Sequence, residues 1–234
     1  SDPITDVFTN TTASRQVVVY QVTPYGPSAL SCVGNTVNVQ VYVDPLPDGT
    51  ISVDKPVVCY GSSALLSFAM TVGTAPFEIV YNDGTSDITV SNIANSHFIA
   101  VNNLTATTTY TFKSIKDVNG CVQTLSGQDV TITVENPIAD FSMDIDEDCT
   151  PLEVTFTNNN IQPGTVYEWN FGDGSPVITS SDPTVTHTYI NNSTVSDVSF
   201  SPLLTATITN GTVICTHSMT DFVTVHAGVS LNVT

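Results

Sequence analysis

Short segments in which apolar and polar residues alternate recur along the whole chain. In the clearest of them, valine occupies every second position from 37 to 43, a period of two that is typical of a half-buried β-strand. The same enrichment in β-branched and aromatic residues predicts strands at 17–22, 37–43, 110–112, 130–134, 152–156, 204–208 and 222–225. No window has a sustained period of 3.6 residues. The pattern therefore predicts an all-β protein.

One segment, 64–70, is apolar enough to be considered as a helix. Its counterpart ninety positions later contains the run Val-Thr-Phe-Thr, which is strand-like, so both segments are interpreted as strands. Turn signals separate the strands, because Asx-Gly pairs accept the positive φ of tight hairpin turns. Five such pairs occur, at 48–49, 83–84, 119–120, 173–174 and 210–211.

The chain contains an internal repeat with a cysteine near each end of the unit. Cys59 is followed after 25 positions by the glycine of an Asp-Gly pair (84 − 59 = 25), and Cys149 is followed by one at the same distance (174 − 149 = 25). An Asn-Gly pair then precedes a second cysteine in each copy, Cys121 and Cys215. The period of 90 residues (149 − 59 = 90) suits immunoglobulin-like β-sandwiches in tandem. Such an array favours an extended surface protein over an enzyme.

Proline-bearing connectors at 44–47 and 135–137 divide the repeats, which we expect to be strung end to end as a semi-rigid rod. The first segment resembles only the second half of a repeat, with Cys32 in the place of the second cysteine. The predicted segments are a truncated domain at 1–46, complete sandwiches at 47–136 and 137–226, and a linker or the start of the next repeat at 227–234.

The five cysteines indicate a disulfide framework and an oxidising, extracytoplasmic location. Their spacing fits no zinc pattern, because no two lie within four residues of each other and histidine is sparse. The pairs Cys59–Cys121 and Cys149–Cys215 would close one loop in each repeat, and each would stabilise its domain by roughly 4 kcal/mol in the chain-entropy model. Cys32 would have no partner in this chain. Five reduced core thiols, or a bridge between neighbouring repeats, are the alternatives.

The charge balance excludes some classes of function. The 234 residues include 22 Asp and Glu but 4 Lys and Arg, for a formal net charge of −18. Nucleic acids and anionic membrane surfaces are bound through basic side chains, so neither is an expected partner. With 41% hydrophobic residues the chain can bury a core. No apolar stretch approaches the roughly 20 residues of a membrane span, and we expect any export signal to have been removed or to lie outside this sequence.

Candidate catalytic and metal-binding groups are few. The four histidines are scattered, and neither a nucleophile elbow nor a phosphate-binding loop is present, so we expect no enzyme activity. The strongest metal candidate is an acidic run containing Asp144, Asp146 and Asp148, whose alternating carboxylates resemble the start of a calcium loop. Cys149 stands where that loop needs glycine, and no glutamate closes it. Calcium is the one cofactor considered, and a solvated acidic loop is the competing interpretation.

The last complete repeat resembles the PKD domain, an immunoglobulin-like sandwich found in many secreted and surface proteins. The resemblance rests on an aromatic strand that runs into a Gly-Asp-Gly turn and is followed by a His-x-Tyr strand. The matching residues are Trp169, Phe171, Gly172, Asp173, Gly174, His187 and Tyr189, with Asn170 in place of the usual aspartate. These residues are interpreted as structural, with Trp169 in the core and Asp173, like Asp83, capping its own turn.

The other two segments are similar to parts of the large gliding-motility surface adhesins of the Bacteroidetes, the SprB-like group. Residues 49–136 match their repeats, and residues 1–46 match their PKD-like tails. The matching motifs are Cys59-Tyr60-Gly61, Pro76-Phe77-x-Ile79-x-Tyr81, Thr108-Thr109-Tyr110-Thr111, Asp117-Val118-Asn119-Gly120-Cys121, Phe8-Thr9-Asn10-Thr11-Thr12 and Cys32-Val33-Gly34. The resemblance implies a long filament on the bacterial cell surface, exported by the type IX secretion system. Its implied partners are an extracellular surface or polysaccharide, neighbouring repeats of the same chain, and the cell-surface motility and secretion machinery.

Two functions are therefore considered. The first is a structural and adhesive repeat segment of a cell-surface adhesin used in gliding motility and surface attachment. Sheets and disulfides would resist tension, and repetition would multiply weak contacts. The second is a substrate-binding accessory module of a secreted polysaccharide- or protein-degrading enzyme, because PKD domains also occur beside catalytic domains. The neighbouring domains of the same chain discriminate between the two functions.

Overall fold

The computed structural model describes residues 5–26 and 32–228, and in these residues it contains strands and no helix. The all-β prediction is confirmed. Within the same residues there is accordingly no helix long and apolar enough to cross a membrane. Most of the linker predicted at 227–234 lies outside the described residues. The chain forms two compact units, one of Ser1–Pro56, Ser63–Asn102 and Thr107–Ile132, and one of Val57–Ser62, Asn103–Ala106 and Thr133–Thr234.

The N-terminal segment forms one antiparallel pair of strands. The strands are β1 (Gln16–Val22) and β2 (Val37–Val43), paired along their whole length. Their alternating valines are not buried, since Val19 is 50% and Val37 is 58% exposed. A two-stranded sheet is marginally stable by itself, and this one has no buried apolar face of its own.

Nine strands lie between positions 48 and 135 and form two sheets. They are β3 (Asp48–Val53), β4 (Val57–Cys59), β5 (Ser62–Val72), β6 (Phe77–Asn82), β7 (Asp87–Ile93), β8 (Ser96–Leu104), β9 (Thr108–Lys116), β10 (Val122–Thr124) and β11 (Asp129–Glu135). One sheet has the order β3-β5-β8 and the other β4-β11-β9-β6-β7, with β10 paired to β9. The pair β4–β11 is parallel.

The burial pattern of β5 confirms that segment 64–70 is a strand. Leu66, Phe68 and Met70 are buried at every second position, as expected for a strand with one face on a core. Phe68 packs edge to face on Phe112 of β9, with 5.1 Å between the ring centroids. These contacts join the two sheets into a sandwich core.

The turn predicted at Asp48-Gly49 is wrong. Both residues lie in β3, where the register with β5 shifts between them. A Cβ on Gly49 would lie 2.8 Å from the carbonyl oxygen of Ala69. The glycine therefore reflects a bulge and a close backbone approach rather than a turn.

Ten strands lie between positions 141 and 226. They are β12 (Phe141–Met143), β13 (Glu147–Cys149), β14 (Leu152–Asn158), β15 (Thr165–Asn170), β16 (Ile178–Thr179), β17 (Thr184–Tyr189), β18 (Val198–Phe200), β19 (Leu203–Asn210), β20 (Val213–Thr220) and β21 (Val223–His226). Their sheets have the orders β12-β14-β17, β13-β21-β18 and β16-β15-β19-β20. Their inward faces share one apolar core.

Aromatic rings fill the centre of that core. Trp169 is 1% exposed, and its ring centroid lies 5.3 Å from that of Phe141 and 5.6 Å from that of Phe156. Its indole N–H has no hydrogen-bond partner among the described residues. The tryptophan is therefore a core residue held by apolar and ring contacts.

Candidate functional site

The structure brings together the aromatic strand, the turn and the His-x-Tyr strand of the predicted motif. Phe171, just after β15, is buried, and the imidazole of His187 on β17 stacks on it with 4.0 Å between ring centroids and 4° between planes. Two positions further along β17, the hydroxyl of Tyr189 donates a hydrogen bond of 3.0 Å to the carbonyl oxygen of Phe171. These contacts fasten the turn after β15 to β17.

Gly172 meets two requirements of this turn. Its φ is +77°, and a Cβ would lie 2.6 Å from the carbonyl oxygen of Ser201. Gly174 also has a positive φ of +85°, but no atom lies within 4 Å of the place where its Cβ would be. Gly172 is therefore required by conformation and by space, and Gly174 by conformation alone.

Asp173 is held as a carboxylate between these two glycines. Burial opposes its ionised form, but hydrogen bonds from Ser175 and His187 outweigh this effect and lower the pKa of Asp173 to about 2. The Nε2 atom of His187 lies 2.7 Å from Oδ2 of Asp173, and each of the two side chains is 17% exposed. The carboxylate and the ring of Phe171 thus hold the imidazole from two directions and stabilise the turn.

We expect the Asp173 carboxylate to make the fold sensitive to acid. Because folding lowers its pKa from 3.8 to about 2, it stabilises the folded state above pH 3.8 and loses this effect as the pH falls through about 2. This lowering of the pKa corresponds to a contribution of about 2 kcal/mol to the free energy of unfolding. Asp173→Asn should lower the free energy of unfolding at pH 5 by about that amount, and its stability should change less than that of the wild type between pH 4 and pH 2. Denaturant unfolding followed by Trp169 fluorescence measures both effects.

The control is Asp146→Asn, which removes a carboxylate from the same compact unit but not from this turn. Equal losses of stability in the two variants at pH 5 would contradict the assignment of the effect to the hydrogen bonds of Asp173.

Asp83 occupies the corresponding turn of the preceding repeat. Hydrogen bonds from Thr85, through its hydroxyl and its N–H, and from the N–H of Ser86 lower the pKa of Asp83 to about 2. The Oδ1 atom of Asp83 lies 2.9 Å from the N atom of Thr85 and 2.8 Å from that of Ser86. Both aspartates therefore cap their own turns.

Two buried asparagines, Asn10 and Asn191, close similar loops, a role that their sequence motifs did not predict. The Nδ2 atom of Asn191 donates to the carbonyl oxygens of Val225 and Ser196 over 2.8 and 2.9 Å. The Nδ2 atom of Asn10 donates to the carbonyl oxygen of Val43 over 2.8 Å. In both loops the amide oxygen accepts the N–H of the residue two positions later. The sequence signal that they share is an aromatic residue two positions before the asparagine.

We expect Asn191→Ala to lower the free energy of unfolding by about 2–3 kcal/mol, because it leaves buried backbone groups without partners. The neighbouring Asn192 is exposed, so Asn192→Ala should change the free energy of unfolding by no more than about 0.5 kcal/mol. Denaturant unfolding of the two variants at neutral pH measures the difference. Similar values for both would show that the buried amide contributes nothing beyond the composition of the loop.

Protein families were compared with the chain, and two segments match. Residues 134–223 match the PKD domain family. Residues 1–47 match a family described as PKD-like domain. The chain thus contains a PKD-type, immunoglobulin-like repeat region, and domains of this type are typically non-catalytic modules. A comparison with curated proteins found no match.

Several solved structures are similar to the chain at low sequence identity. The amphioxus IgVJ-C2 molecule is 12% identical, with 70% of this chain and 98% of that chain covered and a TM-score of 0.36. Murine CEACAM1b is 14% identical, with 78% and 100% covered and a TM-score of 0.32. The fibronectin(III)-like modules of Clostridium thermocellum CbhA are 11% identical, with 76% and 94% covered and a TM-score of 0.30.

A disulfide bond joins Cys59 to Cys215, which lies in the PKD domain. The two Cα atoms are 5.4 Å apart, and the bond spans 156 residues of sequence. Cys32, Cys121 and Cys149 are free thiols. The bond connects two sequence repeats within one compact unit, and it replaces the two within-repeat pairs predicted from the sequence. A disulfide and PKD domains are together typical of extracellular proteins.

Strand register explains why Cys149 does not pair with Cys215 inside the PKD domain. Cys149 ends β13 opposite His226, the last residue of β21. Cys215 lies near the start of β20, opposite Ile208, and in a different sheet. Cys215 lies on a different strand from His226 and eleven positions before it (226 − 215 = 11), so the residue opposite Cys149 is not a neighbour of Cys215 in the sheet. A disulfide needs Cα atoms within about 7 Å.

Cys59 is bonded to Cys215 of its own compact unit, and Cys121 belongs to the other unit. Cys59 ends β4 opposite Glu135, in the unit that also contains Cys215. The Oε1 atom of Glu135 accepts a hydrogen bond of 2.7 Å from Nδ2 of Asn210, at the end of β19. The disulfide and this hydrogen bond together anchor the β19–β20 hairpin to the end of β11.

The aspartates proposed for calcium binding take part in the local fold. Asp144 accepts a hydrogen bond of 2.8 Å from the N–H of Thr155, which lowers the pKa of Asp144. Asp54, ninety positions earlier (144 − 54 = 90), accepts the equivalent hydrogen bond from the N–H of Leu65 in the preceding repeat. Asp148 accepts the N–H of the next residue. Within 5–26 and 32–228 no group of three His, Cys, Asp or Glu side chains is placed to hold a metal ion. Calcium binding that involves Asp146 or its neighbours stays a prediction.

Two further histidines have separate partners in the PKD domain and its last strand. The Nδ1 atom of His226 lies 3.0 Å from Oδ2 of Asp197, and this hydrogen bond raises the pKa of His226. The Nδ1 atom of His217 accepts the N–H of Ala139 over 3.0 Å. Each imidazole is therefore engaged in a contact within the fold.

Proposed function

We propose that this chain is a structural and adhesive segment of a long cell-surface filament of the kind used in gliding motility and surface attachment. The proposal includes export by the type IX secretion system and membership of the SprB-like adhesins of the Bacteroidetes. The observation that carries it is the disulfide between Cys59 and Cys215, which ties two repeats of a PKD-type array together covalently. A bond of this kind suits a protein that transmits tension.

The disulfide changes the path of a force applied to the two ends of the chain. Tension that reaches Cys59 passes through the sulfur atoms to Cys215 and bypasses the stretch of chain between them, a sequence separation of 156. The strands within that stretch, including most of the PKD domain, are thereby protected from being pulled apart. The segment can therefore carry tension without a large increase in length, which is what a filament between a cell and a surface requires.

Single-molecule force spectroscopy tests this mechanism. The oxidised chain should extend over the residues outside the disulfide loop, and reduction should add about 510–560 Å of contour length at about 3.3–3.6 Å per residue. Cys59→Ser should show the longer extension without reductant, whereas Cys149→Ser should behave like the wild type. Gradual, low-force extension of the oxidised protein to its full length would contradict the proposed mechanical role.

An immunoblot of source cells distinguishes the adhesin from the accessory module of a secreted enzyme. With an antibody raised against this chain, we expect a very large, cell-attached band that mild surface proteolysis removes. A band of ordinary enzyme size in the culture medium would overturn the adhesin and indicate a module of a polysaccharide- or protein-degrading enzyme.

A further inference from the structure

Cys59 and Cys149 occupy equivalent places in successive repeats. Each ends a short strand that pairs in parallel with the last strand of its repeat, Cys59 opposite Glu135 and Cys149 opposite His226. In both places the N–H of the following residue donates to the carbonyl oxygen of that opposite residue, over 2.9 Å at Glu135 and 3.3 Å at His226. We name these two the strand-end cysteines. The first is bonded, and the second is an exposed free thiol.

Cys121 and Cys215 form a second equivalent pair, which we name the hairpin cysteines. Each follows an Asn-Gly turn, Cys121 between β9 and β10 and Cys215 within β20. The observed bond therefore joins the strand-end cysteine of one repeat to the hairpin cysteine of the repeat that follows it. If the other repeats are connected in the same way, Cys121 would bond to the strand-end cysteine of an earlier repeat, and Cys149 would bond to the hairpin cysteine of a later repeat.

The buried asparagines align the ends of the two PKD-type domains. Asn10 donates a hydrogen bond to the carbonyl oxygen of Val43, and Asn191 donates one to the carbonyl oxygen of Val225. Asp44 consequently corresponds to His226, the residue opposite the strand-end Cys149. By this correspondence, the strand-end cysteine of the PKD-like domain would lie opposite Asp44.

Cys121 lies close to that position. Leu46 and Gln123, which lie two positions after Asp44 and Cys121 respectively, line the same cavity. In keeping with this, burial, Asp117 and Asp44 all raise the pKa of the Cys121 thiol. In the bonded pair, the residue opposite Cys59 is likewise held by the hairpin that carries Cys215. The free thiol of Cys121 thus lies on the side of its domain where the residue corresponding to His226 is found.

We propose that Cys121 and Cys149, like Cys32 in the place of the first hairpin cysteine, are open members of a disulfide series, in which the strand-end cysteine of each repeat bonds to the hairpin cysteine of the next repeat of the same protein. Each bond forms when two thiols lose their protons and transfer two electrons to a disulfide oxidant, which leaves as two thiols. The partners of Cys121 and Cys149 are then cysteines outside residues 1–234. The series would extend the tension bypass of Cys59 and Cys215 along the array.

The series rests on the proposed function only in requiring further repeats on the same protein. The full-length protein is isolated from source cells in the presence of iodoacetamide, digested without reduction and analysed by mass spectrometry. We expect the Cys59 and Cys215 peptides to be joined, as an internal control. We also expect the Cys149 peptide to be joined to a cysteine peptide C-terminal to residue 234, and the Cys121 peptide to one N-terminal to residue 1.

A variant gives a second test of the same series. Cys149→Ser should expose one new alkylated cysteine outside this chain, whereas Cys59→Ser should expose Cys215. Recovery of Cys121 or Cys149 as an alkylated thiol in the wild type, or bonded to any cysteine within 1–234, would overturn the series. The immunoblot detects attachment to cells, whereas the mass spectrometry detects disulfide bonds. A result that contradicts the disulfide series can therefore be told apart from one that contradicts the proposed adhesin function.

Discussion

Replacement of Cys59 by serine is expected to lower the free energy of unfolding by about 5 kcal/mol, the largest effect of any single substitution considered. The disulfide closes a loop of 156 residues, and the chain-entropy model gives about 5 kcal/mol for a loop of that length. The bond also holds the end of β4 against the β19–β20 hairpin. Guanidinium unfolding without reductant measures the loss, with the single tryptophan, Trp169, as a reporter in the same compact unit.

The matched control, in a chain of residues 1–234 alone, is Cys149→Ser, which removes a free thiol in the equivalent strand of the next repeat. It should change the free energy of unfolding by no more than about 0.5 kcal/mol. Addition of a reductant should bring the wild type to the level of Cys59→Ser and leave that variant unchanged. If reductant has no effect on the wild type, the disulfide does not contribute to stability.

Substitution of Gly172 by alanine is expected to be the second most disruptive change. The left-handed conformation costs an alanine roughly 1–2 kcal/mol, and overpacking against the rigid backbone of Ser201 typically adds about 1–3 kcal/mol. The Cβ would lie 2.6 Å from the carbonyl oxygen and 2.8 Å from the backbone nitrogen of that residue. Since neither atom belongs to a flexible side chain, the turn itself must move.

Gly174→Ala separates conformation from space. Its φ of +85° is as unfavourable for alanine, but its Cβ would meet nothing within 4 Å. This variant should lose only the roughly 1–2 kcal/mol of the left-handed conformation. Thermal unfolding followed by far-UV circular dichroism compares the two, and a loss in Gly172→Ala no greater than that in Gly174→Ala would rule out the steric requirement at Ser201.

Much of the fold follows from local sequence patterns. The alternating valines of 37–43 form β2, and the comparison of 64–70 with 154–157 correctly favours a strand in both repeats. A period of two places one face of a strand inward whatever strand lies beside it. The fixed spacing from each cysteine to its Asp-Gly pair likewise places Asp83 and Asp173 in equivalent turns, where each binds the N–H groups that follow it.

The roles of Asp48-Gly49 and of the buried asparagines depend on residues distant in sequence. A bulge at Gly49 follows from the approach of the Ala69 carbonyl on β5. The amide of Asn191 is required because Val225, 34 positions away, presents a buried carbonyl oxygen to it. From the neighbouring sequence alone, Asp48-Gly49 is expected in a turn and Asn191 in an exposed loop. Their actual roles become visible only when the distant strands that contact them are in place.

The sequence by itself determined the all-β class, the ninety-residue repeat and the residues of the PKD motif, because strand periodicity and turn chemistry act over a few neighbouring positions. The tertiary structure decided which cysteines bond. Disulfide formation requires two Cα atoms within about 7 Å, and that distance is set by strand register and by packing between segments 156 residues apart. Cys121 and Cys149 carry the same local sequence signals as Cys215 and Cys59, yet they remain free because this chain brings no cysteine to them.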